Sequence, residues 1–530
     1  MDVVEPSVKP TPGDSPAAIN RATLFREVML ARARVYRLAG ATPLDRLPDA
    51  SGCEFLLKRE DLSPIHSYKW RGSYNKLATL MESGQARHVV AASAGNHAQG
   101  VAIAAARLGL KATIFMPTAT PALKVREVRR FAGESVDIVI RGDTFDDAAA
   151  LARDFAAAHA APIIPPFDDI HVIAGQGTIG DEIVSAHVNP RVAYLQIGGG
   201  GLAAGVACVL KTFDPSIRIV GVEGEGQASM SAAVRAGRPV TLEHLDRFCD
   251  GTAVRTTGSI TCPLCADLID EFVTVSNDEV CAAMQFLWDA RRLVPEPSGA
   301  MGVAALLRDR AASPAAAGPA LAILSGANMD FATLARIPAR AGVGLRHRRY
   351  YEFEIAERNG SLVDLLERIG DGVNIVDFQY GKVDPDAARP VMGFEGSPDR
   401  LAALEATLRT LGVPFREASA RPAVDFRVIA LRFDLCARPF FAVLDFPERA
   451  GALRDFMRRV SDLTNICYFN YQTTGETEGH ALMGFEFRSD DDRAAFLHRL
   501  DASGVPHREF SPGDLRLDGH LKANGNNNPS

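Results

Sequence analysis

Apolar positions along the chain recur with two different spacings. Between residues 18 and 38 they return about every three or four positions, which predicts a helix that ends at Gly40. Farther on, short apolar runs alternate with alanine-rich helical stretches. This rhythm predicts an α/β fold of parallel βα units, with functional loops at the carboxyl ends of the strands. The predicted strands are 88–92, 112–116, 136–140, 192–197 and 321–324.

The pattern changes near residue 341, beyond which one segment occurs twice. Residues 351–380 match residues 442–471 at a constant offset of 91, so that Gly360 pairs with Gly451 and Tyr380 with Tyr471. Each copy reads strand, helix, strand, strand, helix, strand, which is the split βαβ pattern of an α+β domain. In the first copy these elements are predicted at 350–356, 361–369, 374–380, 391–395, 398–411 and 413–416.

These two patterns divide the chain, since 530 residues are too many for one core. The expected organisation is a flexible arm at 1–18, a catalytic domain at 19–340 with a smaller subdomain at about 70–165, a linker at 341–348, a first repeated module at 349–420, a second at 436–512, and a polar, disordered tail at 513–530.

Composition and charge exclude several classes of function. A net charge of -7 and a pI near 6.0 argue against a nucleic-acid partner, because binding phosphates needs clustered cations. We expect no membrane partner, since no apolar run is long enough to span a bilayer, and the N-terminus lacks the order of a secretory signal. The eight cysteines include a single CxxC pair, Cys262 and Cys265, which suits a reducing cytoplasm better than a zinc ribbon.

Candidate chemistry begins at Lys69, which follows Tyr68 shortly after an apolar run. A lysine held partly out of water, with a cation such as Arg71 nearby, would favour the neutral amine that condenses with an aldehyde or abstracts a proton. A solvated surface lysine remains the alternative for a lone residue of this type.

The stretch SAGNHAQG, residues 93–100, lies between a predicted strand and a helix N-terminus. Free backbone amides at such a terminus favour an anion, for example a substrate carboxylate, and the Asn96 side-chain amide could reach a ring oxygen or a carboxylate. An ordinary turn with a helix cap is the alternative.

A run of four glycines, followed by Leu202, leads from a predicted strand directly into a helix: Gly198, Gly199, Gly200 and Gly201. Bare amides at a helix N-terminus favour a phosphate, although a purely structural turn remains possible. The run lacks the Gly-Lys-Ser/Thr ending of a nucleotide-binding loop and the spacing of a dinucleotide fingerprint. Residues 325–328, SGAN, follow another strand and fit the same cleft, or a plain helix cap.

Together these stretches resemble the fold-type II pyridoxal-phosphate enzymes, and most closely the biosynthetic threonine dehydratases. The motifs that carry the resemblance occur in the family's order and are KREDLSPIHSYKWRGSYN, SAGNHAQG, IGGGGLAAG, EPSGA and LSGANMD. The resemblance implies a catalytic part like the tryptophan synthase β subunit, with open parallel sheets. The repeated modules resemble the tandem ACT-like regulatory domains of the same family.

The resemblance also implies roles for particular residues around pyridoxal 5'-phosphate. Lys69 would hold the cofactor covalently and act as the catalytic base, Asn96 would bond its ring oxygen, and Ser325 would face its pyridine nitrogen. Tyr68 would lie near the ring, and Gly198, Gly199, Gly200, Gly201 and Leu202 would cradle the phosphate. The substrate-binding candidates are Ser93, Ala94, Gly95 and His97. The effector-binding candidates are Gly360 and Gly451, whose turns could instead be purely structural.

The implied activity is dehydration and deamination of L-threonine to 2-oxobutanoate and ammonia, with L-serine as a secondary substrate. Isoleucine is expected as inhibitor, valine as an opposing effector, and a homotetramer as the assembly. Ala94 stands where related serine racemases carry a proton-donating serine, so racemisation should be weak or absent. No metal site is assigned, because a second carboxylate near Glu223 is not clearly placed. The alternatives are a serine-preferring dehydratase and a catalytically silent amino-acid sensor.

Overall fold

The computed structural model describes residues 19–48, 54–312, 319–447, 449–473 and 478–510. The chain divides into two compact units, Met1–Ala341 and Gly342–Ser530. The predicted arm at 1–18 and the predicted tail at 513–530 lie outside the described residues.

The first unit alternates helices and strands, as its apolar pattern predicts. Its elements are α1 (Arg21–Val35), β1 (Leu44–Pro48), β2 (Glu54–Arg59), α2 (Lys69–Glu82), β3 (His88–Ala92), α3 (Asn96–Leu108), β4 (Lys111–Met116), α4 (Ala122–Phe131), β5 (Val136–Ile140), α5 (Phe145–Ala158), α6 (Ile170–Ser185), β6 (Val192–Gln196), α7 (Gly201–Phe213), β7 (Arg218–Gly224), α8 (Ser229–Ala236), α9 (Thr261–Leu268), β8 (Glu271–Val275), α10 (Asn277–Arg291), α11 (Pro297–Ala312), β9 (Ala320–Leu324), α12 (Phe331–Leu334) and α13 (Ile337–Gly344).

Two sheets organise the described part of this unit. The larger has the order β1-β2-β9-β6-β7-β8, and all its neighbouring strands are parallel except the antiparallel pair β1 and β2. The smaller is the parallel sheet β3-β4-β5. The strands β6 and β9 are almost wholly apolar and buried, as expected where helices cover both faces of a parallel sheet. The antiparallel edge strand β1 was not predicted.

Local chemistry explains where the helices begin and end. Helix α1 begins after Asn20, whose side chain accepts a hydrogen bond from the Thr23 amide, and it ends before the predicted Gly40. Helix α3 ends at Gly109, as predicted, because that glycine takes a left-handed conformation with φ +65°. The predicted linker at 341–348 includes the end of α13, which continues to Gly344, and the first residue of a strand that begins at Arg348.

The second unit contains ten strands and five helices in its described residues. They are β10 (Arg348–Phe353), β11 (Ile355–Ala356), α14 (Ser361–Ile369), β12 (Asn374–Gly381), β13 (Ala387–Ala388), β14 (Val391–Glu395), α15 (Pro398–Thr410), β15 (Phe415–Glu417), α16 (Pro422–Asp425), β16 (Phe440–Pro447), α17 (Ala452–Val460), β17 (Asn465–Gln472), β18 (Glu478–Glu486), α18 (Asp490–Ala502) and β19 (His507–Phe510). The strand predicted at 350–356 is therefore divided into β10 and β11.

One antiparallel sheet of eight strands joins the two copies of the repeat. Its order is β15-β10-β14-β12-β17-β18-β16-β19, so each copy supplies four adjacent strands and the copies meet where β12 pairs with β17. Gln379 lies opposite its own repeat equivalent, Asn470. The equivalent residues Phe378 and Phe469 stack with ring centroids 4.2 Å apart. The duplicated sequence therefore folds about a local two-fold axis through this strand pair.

Candidate active site and effector pocket

The loops that follow β3, β6 and β9 come together around the start of α2. The Tyr68 amide donates a hydrogen bond to the Ser325 carbonyl at 3.1 Å, which joins the Lys69 segment to the end of β9. The Asn328 side chain donates to Asn96 Oδ1 at 2.8 Å, which adds the start of α3. The sequence motifs at these strand ends therefore belong to one cleft, as their positions predict.

Lys69 is the first residue of α2, and its side chain is partly buried within this cleft. Its Nζ donates to the Pro166 carbonyl at 3.0 Å. Burial lowers the pKa of the Lys69 amine to about 8, and the nearby Glu296 carboxylate opposes that shift only in part. A larger fraction of neutral amine is thus present near neutral pH than for an exposed lysine.

The predicted electrostatic contribution of Arg71 to Lys69 is wrong. Arg71 is fully buried, with Nε 2.9 Å from a Glu60 oxygen and Nη1 2.6 Å from a Glu182 oxygen. Burial alone is the cause that lowers the pKa of Lys69. The two carboxylates neutralise the guanidinium, which instead ties α2 to α6.

Close contacts leave no room for larger side chains in the glycine run. Gly200 has φ +90° and precedes the first turn of α7, whose amides have no helical acceptor. A Cβ atom at Gly199 would lie 2.2 Å from the Phe167 ring, and one at Gly198 would lie 2.8 Å from the Thr252 backbone. This cradle of bare amides fits an anion such as a phosphate. Phe167 follows Pro166, so the cradle is close to the Lys69 amine.

Asn96 begins α3, and its side chain contacts a buried acid. Its Nδ2 donates to both carboxyl oxygens of Glu296, at 2.9 and 3.1 Å. Burial raises the pKa of Glu296 to about 7, although the hydrogen bond from Asn96 works in the opposite direction. Gly326 and Gly251 leave room for this carboxyl group, because Cβ atoms there would lie 2.7 and 3.1 Å from Oε1.

Glu296 was placed only within the motif EPSGA, and its contact with Asn96 was not predicted. Its partner Asn96 lies 200 positions earlier in the chain. The one available signal was an acid between Pro295 and Pro297 at the start of a buried, alanine-rich helix.

The substrate-binding candidates divide into two groups. Ser93, Ala94 and Gly95 form a partly buried turn in which Ser93 Oγ accepts the Gly95 amide at 3.3 Å. His97, in contrast, is buried in α3, with Nε2 2.9 Å from the Ile164 carbonyl. Burial lowers the pKa of His97 to about 4, so its ring is neutral. The Lys69 ammonium group also lowers the pKa of His97, so the buried ring lies near the candidate catalytic amine, and its contact with the substrate stays a prediction.

Of the remaining cofactor candidates, Tyr68 and Leu202 border the buried parts of the cleft. Burial raises the pKa of the Tyr68 phenol, which stays protonated. Leu202 is buried in the first turn of α7, directly after the glycine run. Ser325, at the end of β9, is also buried.

Glu223, considered as a metal ligand, instead caps a helix. Its carboxylate accepts the backbone amides of Met230 and Ser231 at 2.7 and 2.9 Å, at the start of α8. Within the described ranges, no group of three or more histidine, cysteine or acidic side chains is placed to hold a metal. None of the helices in those ranges combines the length and apolar character needed to cross a bilayer.

The two effector candidates begin equivalent helices but have different surroundings. Gly360 and Gly451 precede α14 and α17 with φ +87° and +82°. Gly451 borders a pocket between the two copies of the repeat. This pocket, called the Gly451 pocket below, is lined by Leu366, Ile369, Gly370, Val373, Asn374, Ile375, Phe446, Pro447, Arg449, Gly451, Ala452, Leu453, Arg454, Phe469 and Tyr471.

Near Gly360, the protein's own polar side chains are paired with one another. Asn465 Nδ2 donates to Glu357 at 2.6 Å, and the Tyr380 hydroxyl donates to the same carboxylate. Lys382 Nζ lies 2.7 Å from Glu486. The repeat equivalent of Lys382 is Thr473, so this ammonium group belongs to one copy alone.

Comparison with known proteins agrees with this geometry. Residues 35–326 match the family described as pyridoxal-phosphate dependent enzyme, and residues 437–518 match the C-terminal regulatory domain of threonine dehydratase. The biosynthetic L-threonine dehydratase of Haemophilus influenzae is 38% identical over 86% of this chain and 89% of its own length. That of Escherichia coli is 36% identical over 89% of this chain and 92% of its own length.

Solved structures are similar to part of this chain. A processed threonine deaminase isoform 2 from Solanum lycopersicum is 40% identical, with a TM-score of 0.58, and covers 63% of this chain and 96% of its own. A maize serine racemase is 29% identical, with a TM-score of 0.55, and covers 59% and 95%. The predicted family, fold class and cofactor are confirmed. The chain belongs to the pyridoxal-phosphate-dependent enzymes and, within them, to the family of biosynthetic threonine dehydratases.

Proposed function

We propose that the protein converts L-threonine to 2-oxobutanoate and ammonia, with pyridoxal 5'-phosphate, as the first committed step of isoleucine synthesis. The observation that carries this proposal is the position of the Lys69 amine. It bonds the Pro166 carbonyl, and the next residue, Phe167, packs on the glycine cradle. The Lys69 amine, which can bind an aldehyde covalently, and the glycine amides, which can bind a phosphate, thus lie in one cleft.

Each residue around the cleft would bind a different part of the cofactor. Lys69 would hold its aldehyde carbon, and the amides of the glycine cradle would hold its phosphate. Asn96 would donate to its ring oxygen in place of one of the two Glu296 oxygens that its Nδ2 contacts here. Ser325 would contact its ring nitrogen with a neutral hydroxyl group, which does not stabilise a positive charge there as a carboxylate would. When bound, the cofactor supplies the electron sink for the charge left at the substrate Cα.

The chain's own chemistry centres on Nζ of Lys69. With the substrate bound beside it, Nζ would be a free amine with a lowered pKa and would accept the Cα proton. Loss of the β-hydroxyl group as water then leaves an enamine, and hydrolysis releases ammonia and the 2-oxo acid. The turn of Ser93, Ala94 and Gly95 would bind the substrate carboxylate at the N-terminus of α3.

Ala94 should keep the enzyme from racemising serine, because a methyl group has no proton to deliver to the second face of Cα. L-Serine incubated with the purified enzyme should give pyruvate and only traces of D-serine, as measured by chiral chromatography. Abundant D-serine would contradict this assignment of Ala94.

We propose the Gly451 pocket as the isoleucine site, with valine as an opposing effector. Its apolar lining suits a branched aliphatic side chain. The α17 N-terminus, together with Arg449 and Arg454, suits the effector carboxylate. We also propose a homotetramer, on family likeness, and a cytoplasmic location. The seven cysteines within the described residues are free thiols, which is typical of a reducing compartment.

One assay tests both parts of this proposal. Release of 2-oxobutanoate is followed against threonine concentration, with and without isoleucine, and compared with pyruvate release from serine. We expect turnover of threonine above that of serine, and a higher half-saturating threonine concentration when isoleucine is present. A chain that ends near Arg340 should lose the isoleucine effect. Inhibition that persists in the shortened chain would place the effector site elsewhere.

A further inference from the structure

Two cysteines of the second unit lie side by side, although 31 positions separate them in the sequence. Each thiol is the largest influence on the pKa of the other, so the Cys436 and Cys467 side chains are neighbours, and Cys436 Sγ donates to the Arg432 carbonyl at 3.6 Å. The main chain holds this arrangement independently, because the Ala437 amide donates to Glu486 at 3.2 Å and the Phe487 amide donates to the Ala437 carbonyl at 3.0 Å. Residue 436 is thereby fixed beside β18, the strand paired with the Cys467 strand, β17.

The two thiols differ in access and in acidity. Cys467 is fully buried, whereas Cys436 is partly exposed at the end of the segment that connects the two copies. The Cys467 thiol lowers the pKa of Cys436 and the Lys382 ammonium group adds to the effect, while burial and the Glu486 and Glu357 carboxylates act in the opposite direction. A partly exposed thiol with thiolate character, next to a buried partner, is the arrangement of an attacking and a resolving cysteine.

We propose that Cys436 and Cys467 form a reversible disulfide when the protein meets a hydroperoxide. The Cys436 thiolate attacks one peroxide oxygen, the O–O bond breaks, and a sulfenic acid and one water result. The Cys467 sulfur then displaces the sulfenic hydroxyl group, which leaves as a second water. Two thiols are oxidised to one disulfide while hydrogen peroxide is reduced to two waters, and an external thiol reverses the change.

The disulfide would secure the connecting segment to the junction of the copies. Arg427 already binds this segment to the junction, with Nη2 2.5 Å from Asn470 Oδ1 and Nη1 2.6 Å from Asp377. The Arg432 amide donates to the Lys382 carbonyl at 2.8 Å, and the Lys382 amide donates to the Cys467 carbonyl at 2.9 Å. A covalent bond at residue 436 closes a loop around β16 and α17, which restricts the unfolded chain and should raise the unfolding temperature.

The test exposes the folded full-length enzyme to hydrogen peroxide and maps its thiols by mass spectrometry. We expect a mass loss of about 2 Da, a peptide pair joined through Cys436 and Cys467, and recovery with dithiothreitol. Cys467→Ser should leave a sulfenic acid at Cys436 that dimedone labels, whereas Cys436→Ser should form no link. Oxidation should raise the unfolding temperature by a few degrees in the parent protein and in neither variant.

Cys262 and Cys265 provide an internal control, because they lie three positions apart on α9 and are both buried. Burial raises the pKa of both thiols. They should stay reduced at the peroxide concentration that links the first pair. If the parent protein keeps Cys436 and Cys467 reduced, or oxidises Cys436 to a sulfinic acid without a link, the proposal is wrong. Because mass is the readout, this result is independent of the proposed function.

Discussion

The cleft of the first unit and the sheet of the second are built in opposite ways. The cleft draws on segments that are far apart in sequence, near residues 69, 96, 167, 199, 296 and 325, and each supplies a different chemical group. The second unit uses one segment twice, so equivalent residues meet across a local two-fold axis. A substitution in the cleft therefore removes something that no other residue replaces, whereas a duplicated module permits its copies to diverge.

Divergence of the copies is visible at Gly360 and Gly451. The Gly360 surroundings hold the pairs of Lys382 with Glu486 and of Asn465 with Glu357. In the Gly451 copy, Arg454 bonds Asp371 at 2.8 Å beside an apolar pocket, and its repeat equivalent is Val363. The same backbone thus carries an internal polar network in one copy and a pocket bordered by arginines in the other.

The largest expected effect is that of Lys69→Ala. Because no second amine can replace Nζ, we expect threonine turnover to fall by about 10³-fold or more. The absorbance band of the bound aldehyde near the visible edge should disappear as well. Lys111→Ala is the control, since Lys111 is well exposed on β4 and should keep both properties. A coloured, active Lys69→Ala enzyme would remove the basis of the proposed chemistry.

Gly199→Ala should weaken cofactor binding by about tenfold or more, because its Cβ would overlap the Phe167 ring. Titration of the cofactor-free protein with pyridoxal phosphate measures the change. Gly40→Ala is the matched control, since a Cβ at Gly40 meets no atom within 4 Å. Adding Phe167→Ala to the Gly199 variant should restore part of the affinity. Equal affinities for the Gly199 and Gly40 variants would show that the run is not a phosphate cradle.

Glu296→Gln should change how stability depends on pH. Burial raises the pKa of Glu296 from 4.5 to about 7, so the folded protein holds this proton where the unfolded chain has lost it. The free energy of unfolding should therefore fall as pH rises from about 4.5 to 7, by about 3 kcal/mol in total, and remain lower above pH 7. In Glu296→Gln this contribution to the pH-dependent decrease in the free energy of unfolding should be absent.

Denaturant unfolding of the cofactor-free protein at several pH values between 5 and 8 measures this difference. The glutamine keeps one oxygen for the Asn96 amide, so the variant separates the charge from the hydrogen bond. Curves that run parallel for the two proteins across this range would mean that Glu296 is ionised throughout.

Features that depend on neighbouring residues, such as helix ends, could be predicted from the sequence. Contacts between side chains that are distant in the sequence could not. Gly109 ends α3 as expected, because a left-handed helix end requires no partner. The contact of Asn96 with Glu296 was not predicted, since it joins two segments that have no shared pattern. The role of Arg71 was wrong for the same reason, because its buried partners Glu60 and Glu182 come from other elements. The repeat was evident from its constant offset, but which copy keeps a pocket depends on side-chain packing.

The smallest expected effect is that of replacing Arg449, and it tests whether the two copies of the repeat have diverged in function. Arg449 and Arg358 are repeat equivalents, both well exposed, and they face the equivalent acids Asp455 and Asp364 at 2.8 and 3.7 Å. Of the two, Arg449 lines the Gly451 pocket.

Because an exposed charge contributes at most about 1 kcal/mol, Arg449→Ala should raise the half-inhibiting isoleucine concentration by about threefold. Arg358→Ala removes the same charge from the same backbone position and should leave inhibition unchanged. Titration of threonine turnover with isoleucine compares the two variants. Equal shifts would mean that net charge alone governs the response, and a shift confined to Arg358→Ala would place the effector in the first copy.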